Sequence, residues 1–313
     1  MIDVNVTVVG AGGVGGYFGG RLVQAGVDVT FVARGAHLAA LNATGLHVRS
    51  VRGDFTVPVR ATEDPGSSRA ADYVLVTVKS YDTDRVASML GPLVGDDTAV
   101  VSLQNGVGNE ERLAAVLGDE RVVGGAAYIF ATLAEPGVVD HTGGPASVVL
   151  GEWRGGTSER VTELVEAFRS AGVTADESSY IREVLWSKFA FICAQAGVTA
   201  AVRLPIGEIR SQPAGRELFH NLVTDVCAVA AAEGVELPTD LPDKTLGFAD
   251  ALEPSGGSSL LHDLVQGRRM ELDTLLGEVV RRAELRGVEV PTSRAVYGVL
   301  QPWAARAERS EQR

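Results

Sequence analysis

Gly10-Ala11-Gly12-Gly13-Val14-Gly15 has the spacing G-x-G-x-x-G. Alone the pattern is common. Here it follows a strand-like run, Val4–Val9, and opens a helix-like segment, the context the motif requires. Gly10 permits a tight turn, Gly12 lets the backbone approach a pyrophosphate, and Gly15 lets helix pack on strand. Ala11, Gly13 and Val14 complete the loop. The helix N-terminus then offers unpaired N–H groups and a positive dipole end to phosphates. The plainer reading of the same letters is a glycine-rich turn with no ligand.

The end of the second strand decides between the two nicotinamide dinucleotides. An Asp or Glu about 20 residues past the glycines bonds a ribose 2′-OH. This chain has Arg34 there, in VTFVARG. A guanidinium pairs with a 2′-phosphate and stacks on adenine, so NADP(H) is the expected cofactor. An exposed loop arginine is the alternative.

Four more residues sit where chemistry is possible. Lys79 ends the strand Tyr73–Val78, and ligands of open α/β sheets bind outside the carboxyl ends of strands. It meets a phosphate, ribose or carboxylate there, or snorkels to water. Asn105 ends the next strand, before Gly106. It is a turn residue or an amide ligand for cofactor or substrate. Lys188 lies in the apolar helical run VLWSKFAFIC. Such a lysine must reach water, a cleft or a partner. Burial draws a lysine's pKa toward neutrality, where it makes an efficient general acid. Glu271 falls on the apolar stripe of a helix beginning near Leu260, marked by Leu260, Leu264, Leu275 and Val279. A carboxylate on that stripe is paired, faces a cleft, or belongs to another register. His141, in an edge hairpin, and His262, in a first helical turn, read as structural.

The elements that must position these residues fall into two halves. Strands at Val4–Val9, Val29–Ala33, Tyr73–Val78, Ala99–Leu103 and Arg121–Ala127 are short and nearly continuous in apolar residues. Helical segments at Gly15–Ala25, Thr83–Leu90 and Glu110–Leu117 alternate with several of them. That pattern predicts a Rossmann-type, doubly wound parallel sheet. Residues 137–151 read as a β-hairpin turning at Gly143-Gly144-Pro145, and Glu159–Ser170 as a further helix. After about Ser178 strand signals nearly vanish. The expected domains are 1–178, dinucleotide-binding, and 179–313, all-helical and carrying the catalytic and substrate groups. Gly172, Gly234 and Gly287 fall at helix stops. Residues 238–258 read as a loop with a short helix, and the tail after Trp303 is expected to fray.

The 313 residues carry 40 acidic and 28 basic side chains, a net charge of −12. That surface argues against nucleic acid and anionic membranes as partners. Cys193 and Cys227 lie in apolar runs and read as buried thiols, with no metal-ligand spacing. The N-terminus lacks the features of a signal peptide, no run of 18 apolar residues occurs, and a cytoplasmic location is expected. A homodimer is left open.

The pieces GAGGVGGYFGGRL, VLVTVKSYDT, LQNGVGNEE, PGVVDHTGG…LGE, WSKFAF and SSLLHDLVQGRRMELD occur in one order over nearly the whole chain. Together they resemble the ketopantoate reductase (2-dehydropantoate 2-reductase) family. The resemblance implies NADPH-dependent reduction of a 2-oxo acid in a cleft between the two domains. It implies that Lys188 is the catalytic acid, that Glu271 orients substrate or lysine, and that Asn105 and Ser259 bind substrate. Ser259 also precedes a helix, where Ser is a favoured N-cap, so the two roles compete. At the positions where the family carries asparagines this chain has Ile192, Ala196 and Ile206. Lys188, Ile192 and Ala196 share one helix face, and Gln195 lies near it. Gln195 can replace a lost amide; otherwise a more apolar 2-oxo acid is the expected substrate. A non-catalytic NADP(H) sensor is the alternative from another class, and it would need neither Lys188 nor Glu271.

Overall fold

Val6, Val8 and Val9 are buried on a strand, Asn5–Val9 (β1), flanked in parallel by Asp28–Val32 (β2) and Ala71–Val76 (β6). The helix Gly13–Gln24 (α1) joins β1 to β2, and Gly35–Thr44 (α2) follows β2. Val94–Ser102 (β7) pairs with β6 in parallel, and Val122–Glu135 (β8) pairs with β7. The chain thus leaves β1 to one side and returns on the other. That reversal is the topological switch point, where open α/β sheets bind ligands at the carboxyl ends of their strands. The helices Thr83–Met89 (α3), Asn109–Leu117 (α4) and Glu159–Ser170 (α5) complete the layers.

A computed structural model describes residues 4–67 and 70–311. They form two compact units. One holds the described residues up to Gln104 together with Gly108–Val184; the other holds Asn105–Val107 and the described residues from Leu185 onward. The first is the doubly wound sheet and the second is helical, as the sequence predicts.

Several sequence expectations need correction. Residues 137–151 are no hairpin but one strand, Val138–Glu152 (β9), antiparallel to β8. The reversal occurs at Pro136-Gly137, with Gly137 at φ +81. Gly143-Gly144-Pro145 makes an irregularity inside the strand, where the register shifts near Phe130 and Gly144 has φ +81. The same residues serve a turn or a bulge, and letters alone do not separate them. The stretch after Arg34 holds α2 and three strands that had no sequence signal: Leu46–Ser50 (β3), Phe55–Val57 (β4) and Arg60–Thr62 (β5). They are short and carry charged or polar residues, as edge strands do. Thr174–Glu177 (β10) adds to β9.

The helical unit comprises Ile181–Val202 (α6, which begins in the first unit), Ile206–Arg210 (α7), Pro213–Ala232 (α8), Leu241–Ala251 (α9), Ser259–Val265 (α10), Leu276–Arg286 (α11) and Pro291–Glu311 (α12). α6 is long and apolar enough to cross a membrane by length and composition, and 72% of that stretch is buried inside the protein. It supplies Trp186, Phe189, Ala190, Cys193 and Ala194 to the helical core. Gly172, Gly234 and Gly287 all have positive φ just past helix ends, as expected of C-terminal stops. The helix expected from Leu260 onward is broken. Gly267, at φ +65, ends α10, and Glu271 lies in the turns before α11. The tail after Trp303 continues α12 as far as Glu311, with Ala304 and Ala307 buried. Residues 312 and 313 lie outside the described residues.

Both cysteines are free; Cys193 is buried and Cys227 half-buried. Burial pushes both thiols up, Cys227 to about 11, so neither is a thiolate at neutral pH.

Candidate active site

The glycine turn is tightly packed at three of its glycines and open at a fourth. Gly10 has φ +105, and a Cβ there would meet Val78 at 2.8 Å. At Gly15 a Cβ would lie 2.2 Å from the Gly10 carbonyl oxygen and 2.3 Å from Thr77 Oγ1. At Gly13 it would meet the Ala131 carbonyl oxygen at 2.2 Å. These three glycines are required by packing. Gly12 differs: a Cβ there would meet nothing within 4 Å, and its φ is −73. It is the N-cap of α1, which has no side-chain cap and no acidic residue in its first turn. Open space at a helix N-terminus whose first turn carries no acidic residue fits the pyrophosphate of a dinucleotide. Thr77, just past β6, donates its hydroxyl to the Gly10 carbonyl at 2.6 Å and fixes the turn from the other strand.

Arg34 follows β2 and is the N-cap of α2. Its side chain is 66% exposed and lies 3.6 Å from Asp82, which also meets Arg85 at 3.5 Å. A carboxylate thus stands near Arg34, although none is beside it in sequence. Lys79 is half-buried past the end of β6 and precedes the turn that carries Asp82.

The second unit gathers Asn105, Lys188, Gln195, Ser259 and Glu271. Lys188 is 8% exposed and its Nζ is sealed from solvent; Glu271 is 9% exposed. Glu271 is thus buried, and it lies outside any helix, so the apolar helical stripe on which the sequence places it is not formed. Trp186 and Phe189 meet edge to face at 5.7 Å beside the lysine. The face of α6 that carries Lys188 continues through Ile192, Gln195 and Thr199. Gln195 donates to the Gly257 carbonyl at 3.1 Å, and the hydroxyls of Thr199 and Ser258 lie 2.7 Å apart. From α7, the Ile206 N–H donates to Gly256 O and the Gly207 N–H to Pro254 O, both at 2.9 Å. Four bonds thus hold the segment that enters α10.

The cap of α10 is Ser258, whose Oγ accepts from the Leu261 N–H at 3.0 Å. Ser259 is exposed and one residue further on, so the competition foreseen for its hydroxyl does not arise. Ala196 and Ile206 are 2% and 1% exposed and belong to the helical core; Ile192 packs against it half-buried. His141 is structural: it receives Ser50 at 2.8 Å and donates to Gly143 O at 2.9 Å. Thr77, Asp82, Thr199 and Ser258 carry no local signal in the sequence: Thr77 meets Gly10, Asp82 meets Arg34, and Thr199 meets Ser258, each pair 48 or more positions apart.

Two family models match the chain. Ketopantoate reductase PanE/ApbA covers residues 6–155, and its C-terminal counterpart covers residues 180–304. The chain belongs to the ketopantoate reductase family. A 2-dehydropantoate 2-reductase of Mesorhizobium japonicum is 32% identical over 95% of this chain and 97% of its own. An uncharacterized oxidoreductase, YkpB, of Bacillus subtilis is 33% identical over 95% of this chain and 98% of its own. The crystal structure of a PanE/ApbA family ketopantoate reductase from Ralstonia eutropha superposes with a TM-score of 0.89 at 34% identity, covering 97% of this chain and 99% of that one. As a ketopantoate reductase family member, the chain is an oxidoreductase acting on CH–OH groups with a nicotinamide dinucleotide, of the type that reduces 2-oxo acids.

Proposed function

We propose that this chain reduces ketopantoate to pantoate with NADPH, serving pantothenate biosynthesis in the cytoplasm. The observation that carries the reading is Lys188, a buried amine within a largely apolar stretch of α6. Burying an ammonium group is costly unless it is paired and hydrogen-bonded, and lysines held in such surroundings are candidates for acid–base work. The chemistry the cofactor supplies when bound is a hydride for the carbonyl carbon. Lys188 delivers the proton to the oxygen that becomes the hydroxyl. Glu271 orients the lysine or the substrate. Asn105 and Ser259 hold the substrate. The glycine turn, Arg34 and Lys79 bind the cofactor, and Arg34 selects the 2′-phosphate.

A second substrate is favoured by one observation. Ile192, Ala196 and Ile206 stand at the positions of the family's asparagines, and none can hydrogen-bond a substrate hydroxyl through its side chain. A branched, apolar 2-oxo acid would then be reduced as well as ketopantoate. The experiment follows NADPH absorbance with ketopantoate and with a panel of branched 2-oxo acids. A clear preference for ketopantoate supports the first reading, turnover of a branched apolar acid at a comparable or higher rate the second, and no turnover of any 2-oxo acid contradicts both.

A further inference from the structure

His37 joins the glycine turn to a loop 100 residues away. The backbone N–H of Gly137 donates to its Nδ1 at 2.9 Å. A ring nitrogen that accepts carries no proton, so the proton of the neutral ring sits on Nε2. Nε2 lies 2.7 Å from the Ala11 carbonyl oxygen and therefore donates to it. Both nitrogens are used, and one neutral tautomer satisfies both bonds. Burial outweighs the Ala11 contact and holds the ring's pKa below its usual value, in accord with a neutral ring.

The partners of His37 bear on cofactor binding. Ala11 is the second residue of the dinucleotide turn. Gly137, at φ +81, makes the reversal between β8 and β9. His37 itself lies in the first turn of α2, three residues after Arg34, the N-cap of that helix. The turn already abuts β8, where a Cβ on Gly13 would strike Ala131. His37 adds a second tie, to the reversal that follows β8.

We propose that His37 is a positioning residue for the cofactor: bridging Ala11 and Gly137, it fixes the glycine turn relative to Arg34 and so sets dinucleotide affinity. It takes no part in proton transfer to the substrate. The inference rests on the cofactor use described above.

The test measures NADP⁺ binding by calorimetry, and NADPH-dependent turnover, for the wild type, His37→Ala and His37→Gln. Alanine removes both bonds and should raise Kd about 5- to 30-fold. Its kcat at saturating NADPH should stay within about twofold, because the loss is uniform binding. Glutamine carries an amide donor and a carbonyl acceptor, and should restore Kd to within about threefold of the wild type. This rescue separates positioning from mere support of the fold. If the alanine variant does not fold, the glutamine variant decides: a Kd raised tenfold or more overturns the proposal. Unchanged affinity in His37→Ala, or a fall in kcat as large as the fall in affinity, overturns it as well. Failure of the wild type to bind NADP⁺ at all would instead refute the cofactor assignment beneath it.

Discussion

Gln195 donates its side-chain amide to the Gly257 carbonyl at 3.1 Å. The residue that stood ready to replace a lost substrate amide is thus bonded to the segment entering α10. Gln195→Leu should loosen that segment and raise KM for every 2-oxo acid alike, by about 2- to 10-fold, the worth of one hydrogen bond. Steady-state kinetics with ketopantoate and its deoxy analogue check this. A loss confined to the hydroxylated substrate would show that Gln195 contacts substrate directly.

Ser258 and Ser259 should part company. Ser258 caps α10 and bonds Thr199, so Ser258→Ala should cost about 0.5–2 kcal/mol of stability. Ser259 is exposed and does not cap the helix, so Ser259→Ala should leave stability within about 0.5 kcal/mol of the wild type. It should instead raise KM for the 2-oxo acid. Urea denaturation and kinetics on both variants distinguish the roles; the reverse assignment of the two effects would contradict this account of α10.

Gly12 and Gly15 make a second contrast. A Cβ at Gly15 would strike the Gly10 carbonyl and Thr77, whereas one at Gly12 meets open space. Gly15→Ala should therefore lower stability by about 1–3 kcal/mol through overpacking. Gly12→Ala should fold normally and lose at least about tenfold in NADP⁺ affinity, because its methyl group occupies the place of the pyrophosphate. Unimpaired binding by Gly12→Ala would mean that the phosphates lie elsewhere.

The acid limit of stability should involve Glu152. Its carboxylate accepts two bonds from Arg160, at 2.7 and 2.6 Å, and one from Ser158 at 2.6 Å. Burial raises its pKa, but Arg160 and Ser158 prevail and hold it below the usual value. The unfolded carboxyl titrates near about 4.3, so the stabilisation is complete above that pH. It is lost as pH falls through the lower, folded-state value. Glu152→Gln should cost about 1–2 kcal/mol at pH 7 and progressively less in acid. Denaturation curves at pH 7 and at acid pH check the sign; a loss independent of pH would contradict it.

Much of this was legible in the sequence, for identifiable reasons. The buried parallel strands announce themselves as apolar runs, and the glycine turn by its spacing between strand and helix. Lys188 stood out because it interrupts an apolar helix. What failed was local. Gly143-Gly144-Pro145 is turn chemistry used for a bulge, and Gly267 breaks a periodicity that otherwise runs on through Glu271. β3, β4 and β5 lie toward the sheet edges, where residues such as Arg49 and Arg60 mask the pattern. The Asp82 neighbour of Arg34 and the Gly257 partner of Gln195 lie 48 and 62 positions away, beyond any local signal.

Lys188 is proposed to protonate the carbonyl oxygen of a 2-oxo acid during NADPH-dependent reduction. The most direct measurement compares NADPH consumption with ketopantoate, or the best branched 2-oxo acid, in the wild type and in Lys188→Ala, alongside NADP⁺ binding to both. Turnover is expected in the wild type and a fall in kcat of about 10²–10⁴ in the variant, with cofactor affinity preserved. Near-normal turnover in Lys188→Ala would contradict this role.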